Sequence, residues 1–88
     1  MSKDTVDATI QERGKVYGSF KANANCTQNL MEMMEVCKQR QLDKFEREAI
    51  HMIFHKISRI VCGTKTKKDN WHDIAGYAKL AEIETKDE

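Results

Sequence analysis

Asp43-Lys44-Phe45-Glu46-Arg47-Glu48-Ala49-Ile50-His51-Met52-Ile53-Phe54-His55-Lys56-Ile57-Ser58-Arg59-Ile60-Val61-Cys62-Gly63 reads as one amphipathic helix with its own start and stop. Asp43 followed by Glu46 has the form of a capping box, in which each side chain satisfies a free backbone N–H of the first turn. Gly63 is a natural C-terminal stop. Between these ends Ile50, Ile53, Phe54, Ile57, Ile60 and Val61 form one wide apolar stripe. Stepping about 100° per residue from Ile50 places Glu48, His55 and Arg59 at about 140–180°, away from that stripe. His51, Met52 and Cys62 flank them. This mixed face suits a contact surface, and we expect another helix or a second chain to cover it.

The rest of the chain is organised around this segment. A first helix is expected over Asp4 to Lys15, closed near Gly14. Val16 to Phe20 then turns the chain, with Ser19 a fair N-cap. A second helix is expected from about Phe20 to Gln39, with Cys26, Leu30, Met33 and Cys37 on one face. The cluster of Met31, Met33 and Met34 reads as core filler, since Met33 and Met34 follow that stripe, with an adaptable binding surface as the alternative. A fourth helix is expected from Asp69, as N-cap, to about Glu84, with Thr85 to Glu88 frayed. Its Trp71, Ile74, Ala75, Ala78 and Ala81 make one stripe, while Tyr77, Leu80 and Gly76 lie opposite with Asp69 and Asp73. A helix apolar on two sides is expected to be sandwiched, so Asp69, Asp73 and Tyr77 should be partly buried.

Proline is absent, glycine occurs four times, and no run alternates in the manner of a strand. The fold class is therefore all-α, a single small helical bundle of three to four helices over residues 1–88, with its core at about 4–84. No repeat or linker divides it.

With 15 basic and 14 acidic residues the net charge is +1, which disfavours a dedicated nucleic-acid binder. The short run Lys65-Thr66-Lys67-Lys68 reads as a solvated loop. The odd set of three cysteines, Cys26, Cys37 and Cys62, includes no CxxC pair. Free, mostly buried thiols in a reducing cytoplasm are expected. No apolar run is long enough to span a membrane.

Two constellations could carry chemistry. Lys56 and Arg59 on the third helix face a short connection to Asp69 and Asp73, so the two helices should be antiparallel neighbours. The structural reading is an ion-pair network across this hairpin, with Asp73 on Lys56 or Arg59. The functional reading is a phosphate pocket whose carboxylates hold a divalent ion. The second constellation is His51, His55, His72 and Cys62. His51 and His55 have the i, i+4 spacing of metal ligands, but Met52 stands where a metalloprotease motif needs glutamate, and structural zinc sites prefer more cysteine. No metal ligand is assigned. Ser58 and the cysteines lack the glycine-flanked elbow of a nucleophile.

Two stretches also resemble a family of small phage and prophage proteins of unassigned function. One is Arg13-Gly14-Lys15-Val16-Tyr17-Gly18-Ser19-Phe20. The other runs through Glu48-Ala49-Ile50, Met52-Ile53, Lys56-Ile57-Ser58-Arg59-Ile60 and Gly63 to Asp69-Asn70-Trp71-His72-Asp73-Ile74-Ala75-Gly76-Tyr77-Ala78. The K-x-x-R and D-I-x-x-Y pattern is similar to a phage nucleotide-modification-associated domain, itself distantly like the MazG-type all-α nucleotide pyrophosphohydrolases. That resemblance implies magnesium held by Glu48 and Asp73, phosphates met by Lys56 and Arg59, and water attack on a nucleoside triphosphate. The enzymes carry an EExxE cluster and an ExxD pair. Here Glu46 and Glu48 stand alone, His51 takes a position often acidic in the phage family, and Asp69 and Asp73 are four apart.

The carboxylate count favours binding over catalysis. The expected function is therefore a phage-type accessory protein that binds a host or anti-phage defence protein. The alternative is nucleotide binding or Mg-dependent pyrophosphohydrolysis, with Mg the only implied cofactor. The nucleotide- or partner-binding candidates are Tyr17, Glu48, His55, Lys56, Arg59, Asp69, Asp73 and Tyr77. A homodimer fits the spare apolar faces.

Overall fold

A computed structural model describes residues 2–88, with side chains from residue 5 onward. It contains four helices and, among the described residues, no strand: α1 (Ser2–Tyr17), α2 (Phe20–Cys37), α3 (Lys44–Cys62) and α4 (Lys68–Glu84). The chain is a small all-α bundle, and α3 is its spine. Both α4 and α2 pack along α3, whereas α1 touches it only slightly. The order of the contacts makes both pairs antiparallel. Cys62 meets Ala22, Ser58 meets Thr27 and Arg47 pairs with Glu35, while on α4 Ile60 lies near Trp71, Lys56 pairs with Asp73 and Ala49 lies near Ala81.

The starts of α2 and α3 are where the sequence puts them. Ser19 Oγ accepts from the Ala22 N–H at 3.1 Å. The Asp43 N–H donates to Glu46 Oε1 at 3.0 Å, the glutamate arm of the capping box. Arg40 holds the same carboxylate with two N–H groups, at 2.9 and 2.6 Å. The Arg40 guanidinium, and then the Asp43 N–H, hold Glu46 down at about 2.

Two element ends differ from expectation, and a third falls where expected for a different reason. Gly14 does not close α1, because a glycine inside a helix weakens it without stopping it. The stop is Gly18, at φ +88°, whose N–H returns to Gly14 O at 3.1 Å. This is the left-handed C-terminal motif that favours glycine. Gly63 does end α3, but at an ordinary φ of −82°, so its reason for being glycine is space. A Cβ there would sit 2.5 Å from Val16 O and 2.7 Å from Arg59 O. Lastly, Asp69 is not the N-cap of α4. That place falls to Lys67, with no side-chain cap, and Asp69 lies in the first turn, where its charge complements the helix dipole.

The faces differ more than the ends. Among the described residues the buried positions are Asn23, Thr27, Ser58 and Asn70 among polar residues, and Ala49 among apolar ones. Thr27 and Ser58 hydrogen-bond at 2.8 Å, and Ser58 Oγ also donates to Phe54 O at 3.0 Å. Small polar residues let the backbones come close while their hydroxyls satisfy one another. The packed face of α2 accordingly runs Asn23, Thr27, Leu30, Met34; Met33 and Cys37 are exposed. Met34 lies half-buried on this face, whereas Met33 is turned away from it. On α4 the packed face is Asn70, Ile74, Tyr77 and Ala81, so Tyr77 and Ile74 share a side. Trp71, Ala75, Ala78 and Leu80 are exposed, and α4 is not sandwiched. Val61 also leaves the α3 stripe for solvent, at 65% exposure. All three thiols are free; Cys26 and Cys62 are half-buried and Cys37 is exposed. Burial, and then the neighbouring Cys26, raises the Cys62 thiol above its usual range.

No described helix is long and apolar enough to cross a membrane.

Candidate binding site

The junction of α1, α2 and α3 is tied by backbone groups that have left their helices. Thr64, just past α3, donates its N–H to Val16 O at 3.1 Å and its hydroxyl to Lys15 O at 2.6 Å. Asn23 Nδ2 donates to Tyr17 O at 2.8 Å and to Ser19 O at 2.9 Å. The last carbonyls of α1 are thus capped from α2 and from the α3–α4 loop, which compensates the groups a helix end leaves open. Gly18 makes the approach possible, since a Cβ there would meet Cys62 O at 2.6 Å.

This junction frames a cavity of about 330 Å³ lined by Ile10, Arg13, Tyr17, Phe20, Asn23, His55 and Arg59, among others. The Arg59 guanidinium lies over the Tyr17 ring, 4.6 Å from its centroid, a cation–π contact. Phe20 is 86% exposed. His55 is half-buried; burial first, then Arg59, Lys56 and His51, lowers it from its ordinary value, so the imidazole favours its neutral form.

The face of Glu48, Met52, His55 and Arg59 therefore divides. The end of α1 shares the cavity with His55 and Arg59, in line with cover from another helix, while Glu48 is exposed.

The hairpin of α3 and α4 carries the other candidates. Lys56 Nζ meets Asp73 Oδ2 at 3.0 Å; the lysine side chain is 13% exposed and the carboxylate 41%. The expected pairing across the hairpin is present, and its partner is Lys56. Arg59 does not join it, because three residues on from Lys56 it stands about 60° away around the helix, turned from α4 toward α1. Tyr77 lines a shallow hollow with Glu48 and Phe45, and a neighbouring one with Asp73, His72 and Leu80. Asp69 belongs to neither; it is exposed, and Asn70 takes the buried position beside it. Among the described residues, no group of three or more His, Cys, Asp or Glu side chains converges.

The eight sequence candidates thus form two neighbouring groups and one outlier. Tyr17, His55 and Arg59 line the cavity. Glu48, Lys56, Asp73 and Tyr77 lie along the α3–α4 seam. Arg13, Phe20 and Asn23 were missed as site residues. Arg13 and Phe20 lie within the Arg13–Phe20 motif, of which Tyr17 alone was taken as a site residue. Asn23 carries a weaker signal, a polar residue four positions after the Ser19 cap.

Fold and site together define a small all-α protein with a cation-rimmed apolar cavity where α1, α2 and α3 meet. The chain belongs to the DUF6378 family, a domain of unknown function whose model matches residues 3–84. Neither a curated protein nor a solved structure matches the chain.

Proposed function

We propose that the chain acts by binding another protein through the cavity and its rim. The observation that carries this reading is Phe20, almost wholly open to water beside Arg13, Arg59 and Tyr17. Aromatic and arginine side chains supply most of the energy at protein interfaces, and they do so around a pocket that excludes water. The complementary surface carries an apolar side chain for the cavity and a carboxylate for Arg13 or Arg59. The resemblance to small phage proteins points to a host or anti-phage defence protein as that partner, met in the host cytoplasm.

A test is capture from host-cell extract by the purified chain and by Phe20→Ala. The exposed Phe20 contributes little to folding, so the variant should keep its helix content and lose the captured protein. Equal capture by both would contradict the reading.

A second reading, nucleotide binding with Mg-dependent pyrophosphohydrolysis, draws support from Glu48 and Asp73 flanking Tyr77. Mg²⁺ is often held by one or two carboxylates plus substrate phosphates, and Glu48 could supply one while Asp73 would have to leave Lys56. Pyrophosphate release that needs Mg²⁺ and disappears in Glu48→Gln would favour this reading over protein binding.

A further inference from the structure

The α3 stripe that should form the core is not enclosed by the chain. With Ile50 at zero, Ser58 lies at about 80° around α3 and Lys56 and Ala49 at about 240–260°. Ser58 is where α2 attaches, and Lys56 and Ala49 are where α4 attaches. The two neighbours therefore sit on nearly opposite sides of α3. Between them, at about 340–20°, lie Ile57, Ile50 and Val61. The two isoleucines are only half-buried, and Val61 is exposed.

Each neighbour extends this apolar strip. Trp71, 59% exposed, shares a depression with Ile60 at the α4 edge. On α2, Phe20 marks the flank that meets His55 and Arg59. Met33 lies about 140° away from it around the helix, on the strip side, and is also largely exposed.

The amount of open surface says how large a cover is needed. The chain exposes 7058 Å², whereas a folded monomer of its 10.2 kDa exposes about 5,300 Å². Its radius of gyration is 15.3 Å, against roughly 12 Å for a compact domain of this length. The excess is about 1,700 Å², and part of it belongs to α1, whose residues 5–15 are exposed. Even half of it equals the area, about 800 Å² per partner, that a stable complex buries.

We infer that a second copy of this chain covers the strip of Met33, Ile50, Ile57, Val61 and Trp71, in a two-fold dimer with α3 against α3. A chain that cannot close its own core needs its cover whenever it is folded, and its own copy is always present. A two-fold axis brings the same apolar strip onto itself. The near-balanced charge of +1 adds little repulsion between copies. This dimer face lies across α3 from the cavity, so it stands independently of the proposed function.

The test combines sedimentation equilibrium with iodide quenching of Trp71, the single tryptophan. The wild-type protein should have the mass of two chains, with Trp71 shielded several-fold relative to a free indole. Val61→Glu should have the mass of one chain and a quenchable Trp71, whereas Phe20→Glu, on the other face, should remain a dimer. Should Val61→Glu fail to fold, the wild-type mass and quenching decide alone. A wild-type mass other than two chains, or a dimer whose Trp71 is fully quenched, overturns the inference.

Discussion

At the residue scale, the centre of the packing is polar and small. Ser58 is completely buried and shares its hydroxyl with Thr27 and the Phe54 carbonyl. Ser58→Ala would strand the Thr27 hydroxyl, and a buried unsatisfied group costs about 1–3 kcal/mol. Urea unfolding should show that loss, with part of it recovered in the double variant Ser58→Ala, Thr27→Val, where no hydroxyl is left alone. The Lys56–Asp73 pair should matter less, because the carboxylate is substantially exposed. Asp73→Ala should cost about 1 kcal/mol, well below the 3–5 kcal/mol of a fully buried broken pair; a larger loss would mean a seam drier than the structure shows. These polar centres also explain what sequence reading missed. Counting apolar residues on α2 and α4 rotates each helix away from its true packed face. Asn23, Thr27 and Asn70 mark that face, and only a search for buried polar residues finds them.

At the scale of the elements, helix positions were far more legible than helix faces. Ser19, and Asp43 with Glu46, mark their ends by chemistry that acts within a few residues, whereas Gly63 marks the end of α3 but owes its glycine partly to Val16 far along the chain. Gly14 and Gly18 could be told apart only by long-range packing, since Gly18 alone lies against Cys62. The four glycines should respond in opposite ways to alanine. Gly14 and Gly76 have open space where a Cβ would go, so Gly14→Ala and Gly76→Ala should each stabilise by about 0.5–1 kcal/mol through helix propensity. Gly18→Ala and Gly63→Ala should destabilise, because backbone atoms stand within 2.6 Å of each new Cβ. Thermal melts of the four variants check the split. The start of α3 also predicts a pH response. Glu46 titrates at about 2 in the folded chain instead of at 4.5, so the unfolded state takes up its proton first. Its contribution is complete above about pH 4.5 and is lost as pH falls toward about 2. Glu46→Gln should flatten the acid side of the stability profile in that window. An unchanged profile would mean that the Arg40 contact does not hold in solution.

At the scale of the whole molecule, an all-α bundle followed directly from composition and spacing, but its openness did not. The α3 stripe looked like a core seam because periodicity reports an apolar face, not what covers it. The candidate site was half legible for a related reason. Residues on one helix could be grouped by angle, whereas the turning of Arg59 toward Tyr17 and the gathering of Arg13 and Phe20 depend on where α1 ends. The two proposals place a partner on the cavity side of α3 and a second copy on its isoleucine strip. If the second copy completes the core, unfolding and dissociation are one equilibrium, and apparent stability follows protein concentration. The most direct measurement is the melting temperature across a hundredfold range of concentration. A dimer that completes its core across α3 should melt several degrees higher at the top of that range than at the bottom, and a melting temperature that stays constant would contradict it.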